Sequence, residues 1–409
     1  MECAIECETD YQEACTQICR EIFRSIDRLL IRERDANPGL AGGLGGVLLF
    51  LAHYNRVLGS RRSQAVLAMA TARWIDSIQH CQTMDVSLHS GLAGIGWIIE
   101  HLTTLGHFNR DKVAGYLEQI DRAITRYMRS GVHAKVFDLL FGKAGIGMYG
   151  LARPDAIRTE MVSEIILSLN LSANISGDQA CWGEIAKSLD WSDADFTPRA
   201  PVLGMAHGTP GVMAFLADAK NARIAPNDLQ RLLEGSARWL CRQTVSGQVS
   251  MFPHWAGDAR PARSAWCYGD PGISIALLKA GQALKDDEIL DFALKVGLFA
   301  ASRTIATSQV RDAAICHGSA GHVLIFQKLW LSTKNAQFLQ ARNTWLTTIL
   351  SQRTRSATSA GFKAYRGAYQ WAPVFGYLEG IAGVGLVMLS ILNPKGCVGW
   401  DQPLGTALY

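Results

Sequence analysis

A motif of two glycines separated by two residues recurs seven times along this chain, each time directly ahead of an apolar stretch. The first glycines of the seven copies are Gly43, Gly91, Gly142, Gly208, Gly269, Gly318 and Gly380. Successive copies are separated by 48, 51, 66, 61, 49 and 62 residues. Recurrence at a quasi-regular spacing of this length indicates a repeat architecture in which each copy marks one structural unit.

The stretches between the motifs are of two helical types. Each motif is followed by a helix-length stretch that is apolar on nearly all sides, which is typical of a helix buried between others. Amphipathic stretches separate these, and one carries apolar residues at helical spacing: Leu229, Leu232, Leu233, Ala237 and Leu240. The first and last repeats are as apolar as the rest, which favours closure over an open solenoid with polar caps. The sequence therefore predicts an all-α fold, an α/α toroid of seven inner and seven outer helices.

The motif glycines are expected to mark the N-termini of the inner helices, where crowded backbones leave no room for a Cβ atom. All seven N-termini would then lie at one end of the toroid. The three longest intervals contain segments rich in polar, glycine and aromatic residues, namely 168–201, 245–262 and 353–373. We expect these segments to form loops over one end, either as a lip that binds a peptide or ligand or as surface decoration.

Length and composition argue for one large domain. The chain has 409 residues, of which 48% are hydrophobic and 19% charged, as in ordinary globular proteins. Because the repeats span nearly all of it, we expect a single toroidal domain over residues 1–409. The net charge of +4 is small and no polybasic segment occurs, so no nucleic-acid partner is predicted. The sequence has no signal peptide, no transmembrane segment and no secreted disulfide framework, so we expect a cytoplasmic protein.

Two cysteines occupy the same position in neighbouring repeats. Cys267 and Cys316 each lie two residues before the first glycine of their motif, and His317 directly follows Cys316. If the repeats superpose, two thiols and one imidazole converge at the glycine end of the toroid. A Cys/Cys/His set leaves one open position on tetrahedral zinc, the pattern of catalytic sites. The sequence thus predicts one Zn²⁺ ion per chain, and a centre with two thiolates suits the activation of a substrate thiol.

Four further residues are candidates for the same rim. His207 lies one residue before Gly208, the position that His317 holds in its own repeat, but no cysteine precedes it. It therefore suits proton transfer near neutral pH better than metal binding. The other three candidates lie within six residues of a motif glycine: Asp138, Arg263 and Tyr268.

The remaining polar candidates carry weaker signals. His89 is interpreted as structural, and Asp270 is expected to complement the N-terminus of its own helix. No positional argument supports three other histidines: His133, His254 and His322. Near the N-terminus, four cysteines form two pairs at a spacing of four residues: Cys3, Cys7, Cys15 and Cys19. Core packing of the first helix explains Cys15 and Cys19 more simply than a second metal site does.

Several of these segments resemble the lanthionine synthetase C family. They are the runs Arg-Ser-Ala-Trp-Cys-Tyr-Gly-Asp-Pro-Gly at 263–272, Ile-Cys-His-Gly at 315–318 and Ala-His-Gly at 206–208, together with the repeated glycine motif. The resemblance covers essentially the whole chain. It implies an α/α toroid with one zinc ion, and thioether formation by addition of peptide cysteine thiols to dehydroalanine or dehydrobutyrine.

The resemblance also implies a role for each candidate residue. Three residues match the zinc ligands of the family: Cys267, Cys316 and His317. His207 matches an active-site histidine that is proposed to transfer protons, and Asp138 matches an active-site aspartate. Arg263 and Tyr268 match positions beside the zinc-binding cysteine that the family associates with its active site.

The partners follow from the same resemblance. The chain is too short to carry a dehydratase or kinase domain besides the toroid, so it resembles a stand-alone cyclase that acts on a dehydrated precursor peptide. A separate dehydratase and a transporter are then expected partners, in an assembly at the membrane to which this protein would be peripheral. Two alternatives stay open: a family member that adds glutathione to dehydrated residues, and a non-enzymatic, zinc-stabilised scaffold that binds peptides.

Overall fold

A computed structural model of the protein describes residues 2–32, 37–81, 83–130, 136–183, 200–224, 226–354 and 358–408. Within these ranges the chain forms fifteen α-helices: α1 (Glu2–Arg32), α2 (Leu44–Leu58), α3 (Arg61–His80), α4 (Leu92–Thr104), α5 (Arg110–Ser130), α6 (Lys143–Ala152), α7 (Asp155–Ser172), α8 (Thr209–Asn221), α9 (Asp228–Cys241), α10 (Asp270–Leu284), α11 (Asp287–Ser302), α12 (Ile305–Ser308), α13 (Ser319–Thr333), α14 (Ala336–Ser351) and α15 (Ile381–Leu392). None of these helices is both long and apolar enough to cross a membrane.

Seven helices form a closed inner ring. In ring order they are α2, α4, α6, α8, α10, α13 and α15, and each packs against the next. The contact between α15 and α2 closes the ring. Each inner helix is capped at its N-terminus by the first glycine of one motif. The predicted α/α toroid is therefore confirmed.

Seven outer helices surround this ring: α1, α3, α5, α7, α9, α11 and α14. Six of them pack on the inner helix that precedes them in the chain, as antiparallel helical hairpins. The apolar stripe predicted for α9 is buried along its length. Helix α1 differs, because it packs on α15 at the far end of the sequence. The first and last helices thus complete one hairpin between them, and closure of the toroid joins the two ends of the chain.

The second glycine of each motif is required by a close backbone approach. In all seven repeats, a Cβ atom added at this glycine would overlap the carbonyl oxygen of the residue six positions earlier. The seven glycines are Gly46, Gly94, Gly145, Gly211, Gly272, Gly321 and Gly383. The crowding that was expected at the inner N-termini is confirmed. Gly269 adds a conformational requirement, since its φ of +104° is rarely accessible to other residues.

A circle of backbone hydrogen bonds joins the turns that precede the inner helices. We call it the rim ring, and it consists of the residue two before the first glycine of each motif: Ala41, His89, Leu140, Ala206, Cys267, Cys316 and Leu378. The amide of one member donates to the carbonyl of the next at six junctions: Ala41 to His89 (2.8 Å), His89 to Leu140 (3.3 Å), Ala206 to Cys267 (3.3 Å), Cys267 to Cys316 (3.1 Å), Cys316 to Leu378 (3.0 Å) and Leu378 to Ala41 (2.9 Å). Equivalent residues of neighbouring repeats are thereby brought to hydrogen-bonding distance.

Loops and two short hairpins lie outside the helices. Strands β1 (Asn174–Ser176) and β2 (Gln179–Cys181) form one antiparallel hairpin, and β3 (Ala364–Tyr365) and β4 (Trp371–Ala372) form the other. The second hairpin contacts the turn before α13, because the carboxylate of Asp312 accepts a hydrogen bond from the Tyr365 amide (2.8 Å). The loop 245–262 contacts the turn before α8 through a bridge between Trp255 and Val202. Residues 184–199, which include Trp191 of the predicted loop segment 168–201, lie outside the described ranges.

The close approach at the second glycines predicts opposite effects for two Gly→Ala substitutions. Gly94→Ala places a methyl group against the Leu88 carbonyl and is expected to lower the free energy of unfolding by about 1–3 kcal/mol. Gly115→Ala, on the exposed face of α5 with nothing within 4 Å, is expected to raise it by about 0.5–1 kcal/mol, because alanine is the better helix former. Urea denaturation of both variants measures the difference. Equal effects of the two changes would contradict the steric explanation of the motif.

A candidate metal centre at the rim

Two neighbouring members of the rim ring carry thiols. The Cys267 amide donates to the Cys316 carbonyl, and His317 follows in the chain. One side-chain ligand atom from each of these three residues lies within 4.8 Å of the other two, and this is the one such cluster of three or more potential ligands in the described part of the chain. Both cysteines are buried, whereas His317 is partly exposed. The three could hold a metal ion that is reached from the rim side.

The electrostatics of the cluster favour negative charge on one sulfur. A hydrogen bond from Cys316 lowers the pKa of Cys267, and His317 and Arg263 lower it further against the effect of burial. The same hydrogen bond raises the pKa of Cys316, as burial does. Burial lowers the pKa of His317, but its contact with Cys267 outweighs this and raises the pKa. The cluster therefore favours the thiolate form at Cys267 over that at Cys316. Two sulfurs and one imidazole nitrogen are a donor set that fits a soft divalent metal ion.

His207 lies at the next junction of the ring. Its neighbour Ala206 donates a backbone hydrogen bond to Cys267 (3.3 Å), which places His207 beside the cluster. The Nδ1 atom of His207 lies 3.4 Å from Oδ2 of Asp138, and both side chains are buried. Oδ1 of Asp138 accepts a hydrogen bond from the Phe141 amide (2.7 Å), and the Phe141 ring stacks on the imidazole at 5.8 Å. These contacts fix the plane of the imidazole and leave Nε2 as the nitrogen that does not face Asp138.

Tyr268 and Arg263 are the last two of the candidate residues named from the sequence. The Tyr268 ring centroid lies 6.4 Å from that of His207. Burial raises the pKa of the Tyr268 hydroxyl, and the negative charge at Cys267 adds to this effect. The Arg263 guanidinium is near enough to lower the pKa of Cys267. The structure thus brings all seven residues named from the sequence to one section of the rim.

His254 is a neighbour that the sequence did not indicate. Its ring lies 5.5 Å from that of Tyr268, and its carbonyl accepts a hydrogen bond from the Leu203 amide (2.9 Å). Burial, and then the nearby Arg263, lower the pKa of its imidazole. His254 belongs to the loop 245–262, outside the repeat register that identified the other residues. Its place within an unusually long and aromatic interval is the signal that could have found it.

Asp270 lies in the first turn of α10, as expected, but it makes no capping hydrogen bond there. It accepts hydrogen bonds from the Ser250 hydroxyl (2.9 Å) and from the amides of Met251 and Phe252 (3.1 Å each). The buried carboxylate instead fastens the loop 245–262 to the rim.

Other candidates lie away from this centre or outside the described ranges. The Nε2 atom of His89 lies 3.2 Å from the Pro403 carbonyl, and burial lowers the pKa of His89 to about 4. Cys15 and Cys19 are buried where α1 packs on α15, with the Cys15 sulfur 3.5 Å from that of Met388. His133 and the side chains of Cys3 and Cys7 are not among the described residues.

Aromatic and guanidinium groups flank the opening of the centre. On the loop 245–262, the Arg260 guanidinium lies 5.3 Å from the Trp255 ring. Beside the β3–β4 hairpin, the Arg311 guanidinium lies 4.9 Å from the Tyr365 ring, which contacts Trp371 edge to face at 5.2 Å. Trp371 is 47% exposed, a large apolar surface to leave open to solvent. Such pairs of rings and cations are suited to holding an extended peptide chain.

Comparison with known proteins gives a family match over nearly the whole chain. The model of a family described as lanthionine synthetase C-like protein matches residues 34–404. Nisin biosynthesis protein NisC of Lactococcus lactis subsp. lactis is 25% identical, in an alignment that covers 89% of this chain and 88% of that protein. A solved structure of nisin cyclase superposes with a TM-score of 0.76 at 23% identity, covering 95% of this chain and 98% of that one. Glutathione S-transferase LANCL1 of Danio rerio is 27% identical over 34% of this chain and 32% of that protein.

A buried histidine behind the centre predicts a pH dependence of stability. The His322 ring stacks on Trp345 at 4.0 Å, its Nε2 lies 2.8 Å from the Ser264 hydroxyl and its Nδ1 lies 3.1 Å from the Gly318 carbonyl. Burial lowers the pKa of His322 to about 4. Since this value lies below that of an unfolded histidine, the contribution of His322 to stability is complete above pH ~6.5 and lost as the pH falls towards ~4.

Between pH 7 and 4.5 this single group is expected to lower the free energy of unfolding by about 2–3 kcal/mol. His322→Phe keeps the ring contact and removes the titration, so its unfolding free energy should fall less over this range than that of the wild type. His80→Phe, at an exposed position where the imidazole lies 3.3 Å from Asp76, is the control, and its slope should change much less than that of His322→Phe because exposed ion pairs contribute little to stability. Chemical denaturation at the two pH values measures all three proteins, and a wild-type slope in His322→Phe would contradict the assignment.

Proposed function

Because the chain belongs to the lanthionine synthetase C-like family, we propose that it is a zinc-dependent peptide cyclase. It would form lanthionine and methyllanthionine rings by adding cysteine thiols of a dehydrated precursor peptide to dehydroalanine or dehydrobutyrine in the same peptide. The observation that carries this proposal is the pairing of a Cys267–Cys316–His317 cluster with a buried His207–Asp138 pair at one opening. Thiol activation and proton transfer are the two operations that this addition needs.

The cluster supports a zinc ion with an open coordination position. Cys267, Cys316 and His317 would hold the ion through two sulfurs and one imidazole nitrogen. When bound there, Zn²⁺ supplies the Lewis acidity that keeps a cysteine thiol as thiolate near neutral pH. The thiolates of Cys267 and Cys316 would balance the charge of such an ion.

The His207–Asp138 pair would move the proton. In the addition, a carbon–sulfur bond forms at the β-carbon, the π bond of the alkene breaks, and the proton lost by the thiol is delivered to the α-carbon. Nε2 of His207 is the atom placed to carry that proton, because Nδ1 faces Asp138 at 3.4 Å. Asp138 holds the imidazole in one tautomer and orientation, as the third member of a catalytic triad does.

Arg263 and Tyr268 would act on the dehydrated residue itself. Addition of the sulfur places negative charge on the carbonyl oxygen next to the α-carbon, as an enolate. A guanidinium or a phenol hydroxyl that donates to this oxygen stabilises the charge where it develops. Tyr268 contacts His207 on one side and follows Cys267 in the chain, so it lies between the groups assigned to sulfur and to proton.

The precursor peptide would enter from the rim. The exposed Trp371, together with Tyr365 and Arg311, forms one side of the opening, and Trp255 with Arg260 forms another. An extended peptide between these groups could move so that one ring after another is closed. The dehydrated residues are made by different chemistry, so we also propose a separate dehydratase and a transporter as partners, with the protein in the cytoplasm as one toroidal domain over residues 1–409.

One alternative uses the same site with a different thiol. The relative named glutathione S-transferase LANCL1 favours glutathione as the nucleophile. The two functions differ in the mass of the product, because intramolecular cyclisation leaves the mass of a dehydrated peptide unchanged and glutathione addition raises it. A dehydrated peptide that contains cysteine, incubated with and without glutathione, distinguishes them by mass spectrometry. The non-enzymatic scaffold predicts no reaction in either case.

Metal content is expected to depend on the cluster. Purified wild-type protein should contain about one zinc ion per chain, and Cys267→Ala and Cys316→Ala should each contain little, because two remaining ligands hold zinc weakly. Cys181→Ala is the matched control, since Cys181 is a buried thiol on strand β2. Elemental analysis measures zinc, and thermal unfolding checks that the variants are folded. Full zinc content in both cluster variants would refute the assignment.

Turnover is expected to depend on His207 without loss of metal. His207→Ala should lower the rate of ring formation on the order of 10²–10⁴-fold, the usual contribution of a general acid or base, while zinc content stays at the wild-type value. His107→Ala, at an exposed position just beyond the end of α4, should cyclise at the wild-type rate. The assay is the loss of free thiol from a dehydrated peptide. An unchanged rate in His207→Ala would remove its role in proton transfer.

A further inference from the structure

The segment after α15 fills the centre of the inner ring. It turns back at residues 393–397 and runs between the inner helices, where Trp400, Asp401, Leu404 and Thr406 are almost completely buried. Side chains from four different inner helices meet it: Trp97 of α4, Ala214 of α8, Lys279 of α10 and Lys328 of α13. We call residues 397–408 the central plug.

Buried charges anchor the central plug. Lys328 of α13 pairs with Asp401 (2.8 Å), and the same carboxylate accepts a hydrogen bond from the Thr406 hydroxyl (2.9 Å). Lys279 of α10 donates to the Ala407 carbonyl (2.7 Å) and pairs with Asp218 of α8 (2.6 Å). Lys279, Asp218 and Asp401 are almost fully buried, and charges in such surroundings are tolerated only when they are paired. The plug is thus fastened to the ring by specific polar contacts besides apolar packing.

The tip of the plug touches the turns that carry the metal centre. We call the residues three before the first glycine of each motif the floor residues: Leu40, Leu88, Leu139, Met205, Trp266, Ile315 and Tyr377. All seven are fully buried. The indole of Trp266 donates to the Leu404 carbonyl (2.9 Å), and the hydroxyl of Tyr377 donates to the Trp400 carbonyl (3.0 Å). The plug therefore lies directly beneath the rim ring.

Gly405 lies close to the turns that carry the metal centre. It has a φ of +67°, which allows the chain to reverse, and an added Cβ atom would lie 3.2 Å from Ala214, 3.5 Å from Leu139 and 3.5 Å from the sulfur of Met205. Leu139 is adjacent to Asp138 in the chain, Met205 precedes His207 by two residues, and Trp266 is adjacent to Cys267. The plug is thus in contact with the neighbours of the three chemical groups.

We propose that the central plug is a positioning element of the metal centre: its tip at 402–406 supports the floor residues and so sets the relative positions of Asp138, His207 and Cys267. Most of these contacts are made to backbone groups or to small side chains, so the plug is a template of fixed shape. Its residues do not touch the substrate. The proposal rests on the proposed function for its effect on turnover, but its effect on the metal cluster can be measured without any substrate.

Two glycines of the plug provide a matched test. Gly405→Ala and Gly399→Ala each introduce a Cβ atom at a positive φ, +67° and +78°, so the backbone strain is similar. At Gly399 the nearest atom is Cε1 of His101 at 3.4 Å, in the last turn of α4, away from the rim. At Gly405 the tight contact is with Ala214 of α8, at 3.2 Å, and Leu139 and Met205 lie at contact distance under the centre. Because α8 begins two residues after His207, only Gly405→Ala should displace a turn that carries the site.

Gly405→Ala is expected to lower kcat for ring formation on the order of tenfold or more with little change in KM, since small displacements of catalytic groups have effects of this size. Its zinc affinity, by competition with a chromophoric chelator, should fall, and the thiolate-to-metal absorption of the Co²⁺-loaded protein should shift. Gly399→Ala should match the wild type in all three measurements. Equal effects of the two substitutions, or none from Gly405→Ala, would overturn the proposal.

A second variant tests the proposal in case Gly405→Ala fails to fold. Thr406→Val removes the hydroxyl that bonds Asp401 and keeps the side-chain shape, so it loosens the tip without a clash. Like Gly405→Ala, it should lower both kcat and the affinity for zinc. Wild-type values of both quantities would contradict the role of the plug in positioning the metal centre. If the wild type fails to cyclise a dehydrated peptide, the proposed function fails, and the metal measurements still decide whether the plug positions the cluster.

Discussion

The backbone hydrogen bonds of the rim ring are the constraint on which the rest of the structure depends. Helical hairpins can pack side by side with many offsets, because side-chain ridges and grooves tolerate rotation and sliding. A hydrogen bond such as that between the Cys267 amide and the Cys316 carbonyl allows no such freedom. It fixes one register between neighbouring repeats, and it places their equivalent residues side by side. Two cysteines at one repeat position therefore become a pair of ligands without any dedicated loop.

The glycine motif is the sequence expression of this constraint. Each turn before an inner helix must fold so closely over the first turn of that helix that the Trp266 carbonyl, for example, occupies the space of a Cβ atom at Gly272. A larger residue there would push the turn outward and break its hydrogen bonds to both neighbours. The positive ends of the helix dipoles gather at the same level, where negative charge on thiolates or on an enolate is stabilised.

The repeat register explains what the sequence could and could not predict. The toroid and the convergence of Cys267, Cys316 and His317 follow from equivalence between repeats, which a single sequence displays. Other contacts join segments that do not occupy equivalent positions in the repeats, and no periodicity predicts them. They are the packing of α1 on α15, the approach of His254 to Tyr268, and the hydrogen bonds from the loop 245–262 to Asp270. The central plug could be predicted least of all. The place of Gly405 follows from its contacts with the inner helices, and no pattern within its own segment indicates it.

The three residues before the first glycine of each motif have different roles: one contributes to packing, one to the register between repeats and one to the chemistry of the opening. The floor residues are buried, and several of them contact the plug, as Trp266 does at Leu404. The residues at the next position, the members of the rim ring, form the backbone hydrogen bonds between neighbouring repeats. The third faces the opening, where Phe141, His207 and Tyr268 contact one another in ring order. Packing, register and chemistry are thus assigned to different residues, and the seven repeats offer seven places at the opening. Because the circle is built from backbone groups, it constrains the side chains at the third position little. The chemistry of such a rim can therefore be altered residue by residue while the toroid that supports it stays the same.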